Sequence, residues 1–271
     1  MSVEKKYSID DLRYLMARLR NPETGCPWDL QQNYQSIVPY TLEETYELVD
    51  AIESADIPQI RQELGDVLFQ VIFYSQLAEE AGDFSWDDVS HEITEKLLRR
   101  HPHVFPSGEL HSVADQESDV AAIKESWEKI KEQERAEKAQ TSLMDDIPKA
   151  LPALNRAVKI QKRAARVGFD WSDINPVFDK ITEEINELKA EINVQSAEGI
   201  ESELGDVLQA VSNLARKLGV DPEMSLRKAN GRFESRFRHM EAHSRNSLQD
   251  MSSEELELLW QQAKAREQQG S

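Results

Sequence analysis

A single cysteine, Cys26, among 271 residues excludes a disulfide framework and a multi-thiolate zinc site. The most hydrophobic stretch, Val67 to Tyr74, falls far short of the roughly 20 residues that a membrane-spanning helix needs, so no membrane partner is expected. The opening MSVEKKYSIDDL lacks the apolar core of a signal peptide, and the default expectation is a cytoplasmic protein. Basic residues are scarce: 32 Lys+Arg face 51 Asp+Glu, a formal charge of -19, which argues against binding a nucleic-acid polymer. Glycines spaced as GxGxxG or GxxxxGK[ST] are absent, as are a Glu-x-x-His pair, a GxSxG elbow and an EF-hand loop. A dinucleotide fold, a P-loop, a di-iron bundle, an α/β-hydrolase and a calcium loop are thereby disfavoured.

What remains is helix signal. Apolar residues recur at helical spacing over 8–20, 41–54, 58–81, 86–100, 117–139, 146–164, 176–192, 199–218, 222–244 and 253–267, with no convincing strand. Thr41 with Glu44 reads as a capping box, and Ser85 with Asp88 opens a further helix. The charged run at 128–142 is poor in apolar residues, and Asp145, Asp146 and Pro148 after it read as a new helix start. These features predict an all-α protein of two domains, 1–142 and 143–271.

The two halves repeat. LEETYEL at 42–48 and TEEINEL at 182–188 are each followed by ELGDVL, at 63–68 and 203–208, so both segments recur at an offset of 140 residues. Glu44, Glu47, Glu63 and Asp66 map without a gap onto Glu184, Glu187, Glu203 and Asp206. With local shifts, GCPWD at 25–29 matches GFDW at 168–171, RRHPHVF at 99–105 faintly matches GRFESRF at 231–237, and Trp127 with Lys131 matches Trp260 with Lys264. Two tandem copies of one helical domain account for this.

Two carboxylates three residues apart share one helix face, and a second pair on the next helix can meet them across a hairpin. A lone Glu-x-x-Glu is ordinarily a solvated surface in so acidic a chain. Here the ELGDVL acids sit inside apolar segments, where a charge needs a partner or a metal, and the four-acid spacing occurs twice. Oxygen donors without His or Cys suit Mg²⁺ or Mn²⁺.

With these residues, EETYE with ELGD and EEINE with ELGD, and with GCPWD, PYTLEETYE, RRHPHVF and VGFDW, the chain resembles the MazG nucleoside triphosphate pyrophosphohydrolases of the all-α NTP pyrophosphatase group. The resemblance spans essentially the whole chain. It implies Mg²⁺-dependent hydrolysis of NTPs and dNTPs to monophosphate and pyrophosphate by a homodimer of helical bundles. Carried over, the metal ligands fall on Glu184, Glu187, Glu203 and Asp206, with Glu44, Glu47, Glu63 and Asp66 offered by the first copy. Nucleotide contacts fall on Lys180, Arg232, Arg236 and Trp260, and Glu183 beside the ligands is a candidate general base. The faint alignment sets Arg100 against Arg232 and Val104 against Arg236, which makes the second copy the principal expected site.

Other residues read as structural: His239 with His243 lacks an evident third ligand, His101 and His103 flank a helix-ending Pro102, and Cys26 has no adjacent base. The competing reading of the whole chain is an acidic helical module that senses nucleotides or binds a protein partner without hydrolysis.

Overall fold

A computed structural model describes residues 6–113, 119–137, 142–244 and 247–269. Among them are eleven α-helices and a 3₁₀ turn at Leu248–Asp250, with no strand. The chain divides into two compact units, Met1–Glu134 and Arg135–Ser271. Part of the charged segment at the sequence-expected boundary near 142, residues 138–141, lies outside the described residues.

The first unit is built on the hairpin of α3 (Tyr34–Glu53) and α4 (Ile57–Ala81), against whose second helix α1 (Ile9–Leu19) and α5 (Trp86–Arg100) pack. Met16, Ile37, Ile72, Phe73 and Leu77 form its buried core, with Leu12, Phe69, Tyr74 and Trp86 packed around them. A short helix α2 (Pro27–Gln31), unforeseen in the sequence, follows Gly25 and Cys26; Pro27 supplies the preset φ that suits a first helical position. Cys26 is half-buried at its N-cap.

Thr41 does not cap a helix. The Asn33 side chain caps α3 by accepting from the Gln35 and Ser36 amides, so the helix begins seven residues earlier and runs through Pro39. Thr41 Oγ1 instead donates back to the Ile37 carbonyl at 3.2 Å, as a mid-helix threonine does. The Ser85–Asp88 capping box does form at the start of α5.

In the second unit α8 (Asn175–Val194) and α9 (Ala197–Lys217) make the matching hairpin, with α7 (Ala153–Ala165) against α9 and α10 (Pro222–His243) against α11 (Ser253–Gln269). Helix α7 starts later than Asp145, Asp146 and Pro148 suggest, because the second proline, Pro152, fixes the extended backbone ahead of Ala153. The repeat extends to the turns: Ala55 and Gln195, 140 residues apart, both adopt positive φ, 56° and 57°.

Helix α6 (Val120–Glu137) brings Glu134 to Arg99 and Arg100, at 2.8 and 2.5 Å. The hydrogen bond from Arg100, ahead of that from Arg99, pulls the Glu134 carboxyl down to about 2, against the burial that raises it. A depressed carboxylate stabilises the fold above its unfolded value of about 4.5 and loses that contribution as pH falls toward 2. We expect Glu134→Gln to cost about 1–2 kcal/mol at neutral pH, discounted for solvent screening, and to flatten the acid limb of a pH-dependent melting series.

Candidate active site

Each hairpin gathers its acids. On α3 and α4, ligand oxygens of Glu44, Glu63 and Asp66 lie within 4.8 Å of one another; on α8 and α9 those of Glu184, Glu187 and Glu203 do the same. Helical geometry makes this happen: residues three apart on one helix face the corresponding pair across a tight antiparallel connection.

The chemistry of the two clusters differs. Glu63 is 2 % exposed, and its Oε2 is buried without a hydrogen-bond partner. Burial, then repulsion from Asp66, Glu47 and Glu63, raises the Glu44 carboxyl above its ordinary range. Glu47 is raised too, by desolvation and then by Glu63. A buried carboxylate oxygen with no donor, among acids that repel one another, fits a bound cation, and all-oxygen ligation suits a hard divalent ion. In the second cluster Lys180 supplies positive charge from within: its Nζ lies 2.8 Å from Glu184 and 2.9 Å from Glu183, and those two bonds raise the ammonium above its usual value. The repeat places Tyr40 at that position in the first copy, where its ring meets Trp28 edge-on at 5.8 Å. Glu187 is raised by desolvation and by Glu184 and Glu203.

Asp206 does not complete the inner trio but lines an adjoining cavity of about 310 Å³, together with Lys180 and Glu184. Its other walls include Gln161, Trp171, Gln209 and Asn213, none singled out from the sequence as site residues. Two signals pointed there: the GFDW match that sets Trp171 ahead of the hairpin, and Asn213 as a polar residue inside the apolar LGDVLQAVSNL.

Arg232, Arg236 and Trp260 are not among the residues lining this cavity. Arg236 donates to Glu267 Oε2 at 2.9 and 2.7 Å and stands over the Trp260 ring at 5.5 Å, while Phe233 meets that ring at 4.9 Å. Arg232 is exposed. These pairs also correct the alignment of the copies. Glu134 follows Trp127 by seven residues as Glu267 follows Trp260, and each accepts from an arginine, Arg100 in the first unit and Arg236 in the second. Arg99 and Arg100, which both pair with Glu134, therefore share in the first unit the role of Arg236, one helical turn from Arg232. The contrast between copies rests on Lys180 against Tyr40 instead. It is reinforced by Gln209 and Asn213, whose counterparts Phe69 and Phe73 pack edge-on at 6.0 Å in the first unit. Elsewhere, His239 stacks on His243 at 3.8 Å and takes Arg266 Nη1 against its Nδ1 at 2.8 Å, a setting that repels a cation. His101 packs on Trp127.

Helical hairpins that converge three acids apiece define an all-α protein with a duplicated acidic cluster, each of a kind that could hold a metal ion. The sequence model of the MazG nucleotide pyrophosphohydrolase domain matches residues 32–105 and 175–240, one match over each hairpin. The chain belongs to the MazG nucleotide pyrophosphohydrolase family. It is 51% identical over 264 residues to the nucleoside triphosphate pyrophosphohydrolase of Escherichia coli K12, covering 96% of this chain and 98% of that one. It is 41% identical over 259 residues to the nucleoside triphosphate pyrophosphohydrolase/pyrophosphatase MazG of Thermotoga maritima, covering 94% and 95%. A Mycolicibacterium smegmatis nucleoside triphosphate pyrophosphohydrolase matches at 42% over 156 residues, 57% of this chain and 45% of that one.

Proposed function

We propose that this chain is an enzyme, a Mg²⁺-dependent nucleoside triphosphate pyrophosphohydrolase that converts NTPs and dNTPs to monophosphates and pyrophosphate, with its principal site in the second unit. The observation that carries this is the Glu184–Glu187–Glu203 cluster with Lys180 set 2.8 Å from Glu184, beside a cavity that Lys180, Glu184 and Asp206 line.

Glu184, Glu187, Glu203 and Asp206 would hold the metal, Mg²⁺ or Mn²⁺. When bound, the ion offsets the charge of the triphosphate and lowers the pKa of water. Lys180, already drawn toward the acids, presents its ammonium to phosphate oxygens entering the cavity. Glu183, bonded to Lys180 and half-exposed, is placed to take a proton from water at its carboxylate oxygen. Arg232, Arg236 and Trp260, which do not line that cavity, would meet the nucleotide from outside it. Glu44, Glu47, Glu63 and Asp66 form a second cation site, without a lysine in its reach corresponding to Lys180.

The reading extends to a homodimer. Leu64, Leu68 and Val71 on α4 are exposed at helical spacing, and Leu204, Leu208 and Val211 on α9 repeat them at the same offset, faces that a second copy would cover. Light scattering should return twice the mass of one chain. No described helix is long and apolar enough to cross a membrane. Acting on free nucleotides, the enzyme would trim the nucleotide pool of the cytoplasm.

Chromatography of products from an NTP and dNTP panel tests the activity. We expect monophosphate plus pyrophosphate with Mg²⁺ and neither with EDTA; diphosphate plus phosphate would place the cut elsewhere. Tight nucleotide binding without turnover would favour the sensing module.

A further inference from the structure

The negative charge of the chain breaks off at one helix. Between Lys149 and Val167 stand Lys149, Arg156, Lys159, Lys162, Arg163 and Arg166, and no Asp or Glu. Arg156, Lys159, Lys162 and Arg163 lie on α7, and Arg166 is its C-cap. At about 3.6 residues per turn these five share one side of the helix. Ile160, Gln161 and Ala164, on the adjoining side, line the cavity that Lys180, Glu184 and Asp206 also line. A basic face and a wall of the cavity are thus neighbours on one helix. Lys159 and Lys162 are exposed, and Arg156 is half-buried.

The first copy shows how the same fold treats such charges when it pairs them. The offset of 143 residues that sets Gly25 on Gly168 and Trp28 on Trp171 sets Arg13 on Arg156 and Arg20 on Arg163, and α1 packs on α4 as α7 packs on α9. Arg13 pairs with Asp10 at 3.5 Å and Asp87 at 3.3 Å, and Arg20 with Glu80 at 2.7 Å. In the second copy Ala153 replaces Asp10, and Val220, at the hairpin offset of 140, replaces Glu80. Lys159 and Lys162 stand where the first copy has Met16 and Leu19. The arginines persist, these acids are gone, and two lysines are added. Among the described residues Arg156, Lys159 and Lys162 form no hydrogen bond or ion pair, and the Nε of Arg156 is buried without an acceptor. Unpaired positive charge beside a cavity raises the local potential, and such a field draws anions and speeds their encounter.

We propose that the basic face of α7 is an entry surface for the polyphosphate of the substrate, on which Arg156, Lys159 and Lys162 gather the anion against the net charge of the chain and deliver it to the neighbouring cavity. The inference rests on the nucleotide reading above and deepens it, adding an association surface outside the cavity. A triphosphate approaching a chain of formal charge -19 meets repulsion over most directions, and α7 offers it a path of opposite sign.

The test is stopped-flow binding, with Mg²⁺, of a ribose-labelled fluorescent α,β-methylene adenosine triphosphate to the full chain. At about 0.03 M salt the double variant Lys159→Gln/Lys162→Gln should associate about fivefold more slowly than wild type, with dissociation changed less than about twofold, because steering acts on the encounter. The two association rates should converge at about 0.5 M salt, where screening removes the field. Both lysines are exposed and unpaired, so the variant keeps its fold, which an unchanged melting temperature verifies. A charge-matched control, Lys6→Gln/Lys129→Gln on exposed lysines of the first unit, should associate at the wild-type rate. Wild-type association in the α7 variant, an equal loss in the control, a deficit that persists at high salt, or a deficit carried by dissociation would each overturn the entry surface. An analogue that fails to bind wild type would remove the nucleotide reading and the surface with it. Pyrophosphate release from natural substrates, measured alongside, reports separately on hydrolysis: its absence with the steering pattern intact removes the reaction and leaves the surface standing.

Discussion

Glu184→Ala should lower pyrophosphate release by at least about 10³-fold, or about 4 kcal/mol in the barrier, while the far-ultraviolet helical signal stays at the wild-type level. Glu184 is 6 % exposed and belongs to the inner trio, so the side chain serves two partners at once. Its oxygens face Glu187 and Glu203, and its charge holds Lys180 in the cavity. Losing it removes one metal ligand and frees the lysine. The expected signature is a fall in kcat larger than the rise in KM, because positioning at the reacting phosphate is lost more completely than binding. Glu184→Gln, which keeps the shape and lowers the charge, should fall between the two. A variant with wild-type turnover would remove the acid trio from the chemistry.

Glu63→Gln should make the metal-free protein more stable than wild type by about 1–3 kcal/mol, and should shrink the rise in melting temperature that millimolar Mg²⁺ produces in wild type, expected to be about 5 °C. Glu63, whose Oε2 is buried without a donor, lies with Glu44 and Asp66 in a cluster that is unfavourable until a cation joins it. An amide in that place carries no charge and brings a donor. The pH dependence follows from Glu44 and Glu47, whose carboxyls are held above the ordinary 4.5 in the fold. The native state then holds more protons than the unfolded chain just above that pH, so their contribution to stability declines as pH rises through that window. In EDTA, wild type should lose stability relative to Glu44→Gln as pH is raised from about 4.5, and Mg²⁺ should cancel the difference. A Glu63→Gln protein that melts below wild type in EDTA would show that the acids are satisfied without a metal.

Much of this was legible in the sequence because helices and repeats leave periodic marks. The unbroken offset of 140 residues marks the eight acids on the two hairpins, of which Glu44, Glu63 and Asp66 converge in one unit and Glu184, Glu187 and Glu203 in the other. The expected start of α3 fails because Thr41 with Glu44 has the spacing of a cap, whereas Asn33 sets the start from outside the apolar pattern. The match of Arg100 to Arg232 gives way for a related reason: a one-turn slip keeps the helix face, and the pairing of Arg99 and Arg100 with Glu134 parallels that of Arg236 with Glu267. Gln161 could not have been found by motif. Its place in the cavity wall comes with a bond from its Nε2 to the Gln209 carbonyl across two helices, and no spacing along the chain encodes that.

The most direct measurement is pyrophosphate release from one NTP with Mg²⁺ by two matched variants, Glu203→Ala and Glu63→Ala, whose positions the repeat makes equivalent. The account predicts that Glu203→Ala is inactive to within background while Glu63→Ala keeps turnover within a few-fold of wild type, because Lys180 and the cavity belong to the second unit. The opposite pattern, with turnover surviving in Glu203→Ala and lost in Glu63→Ala, would contradict the assignment of the catalytic centre to the second unit.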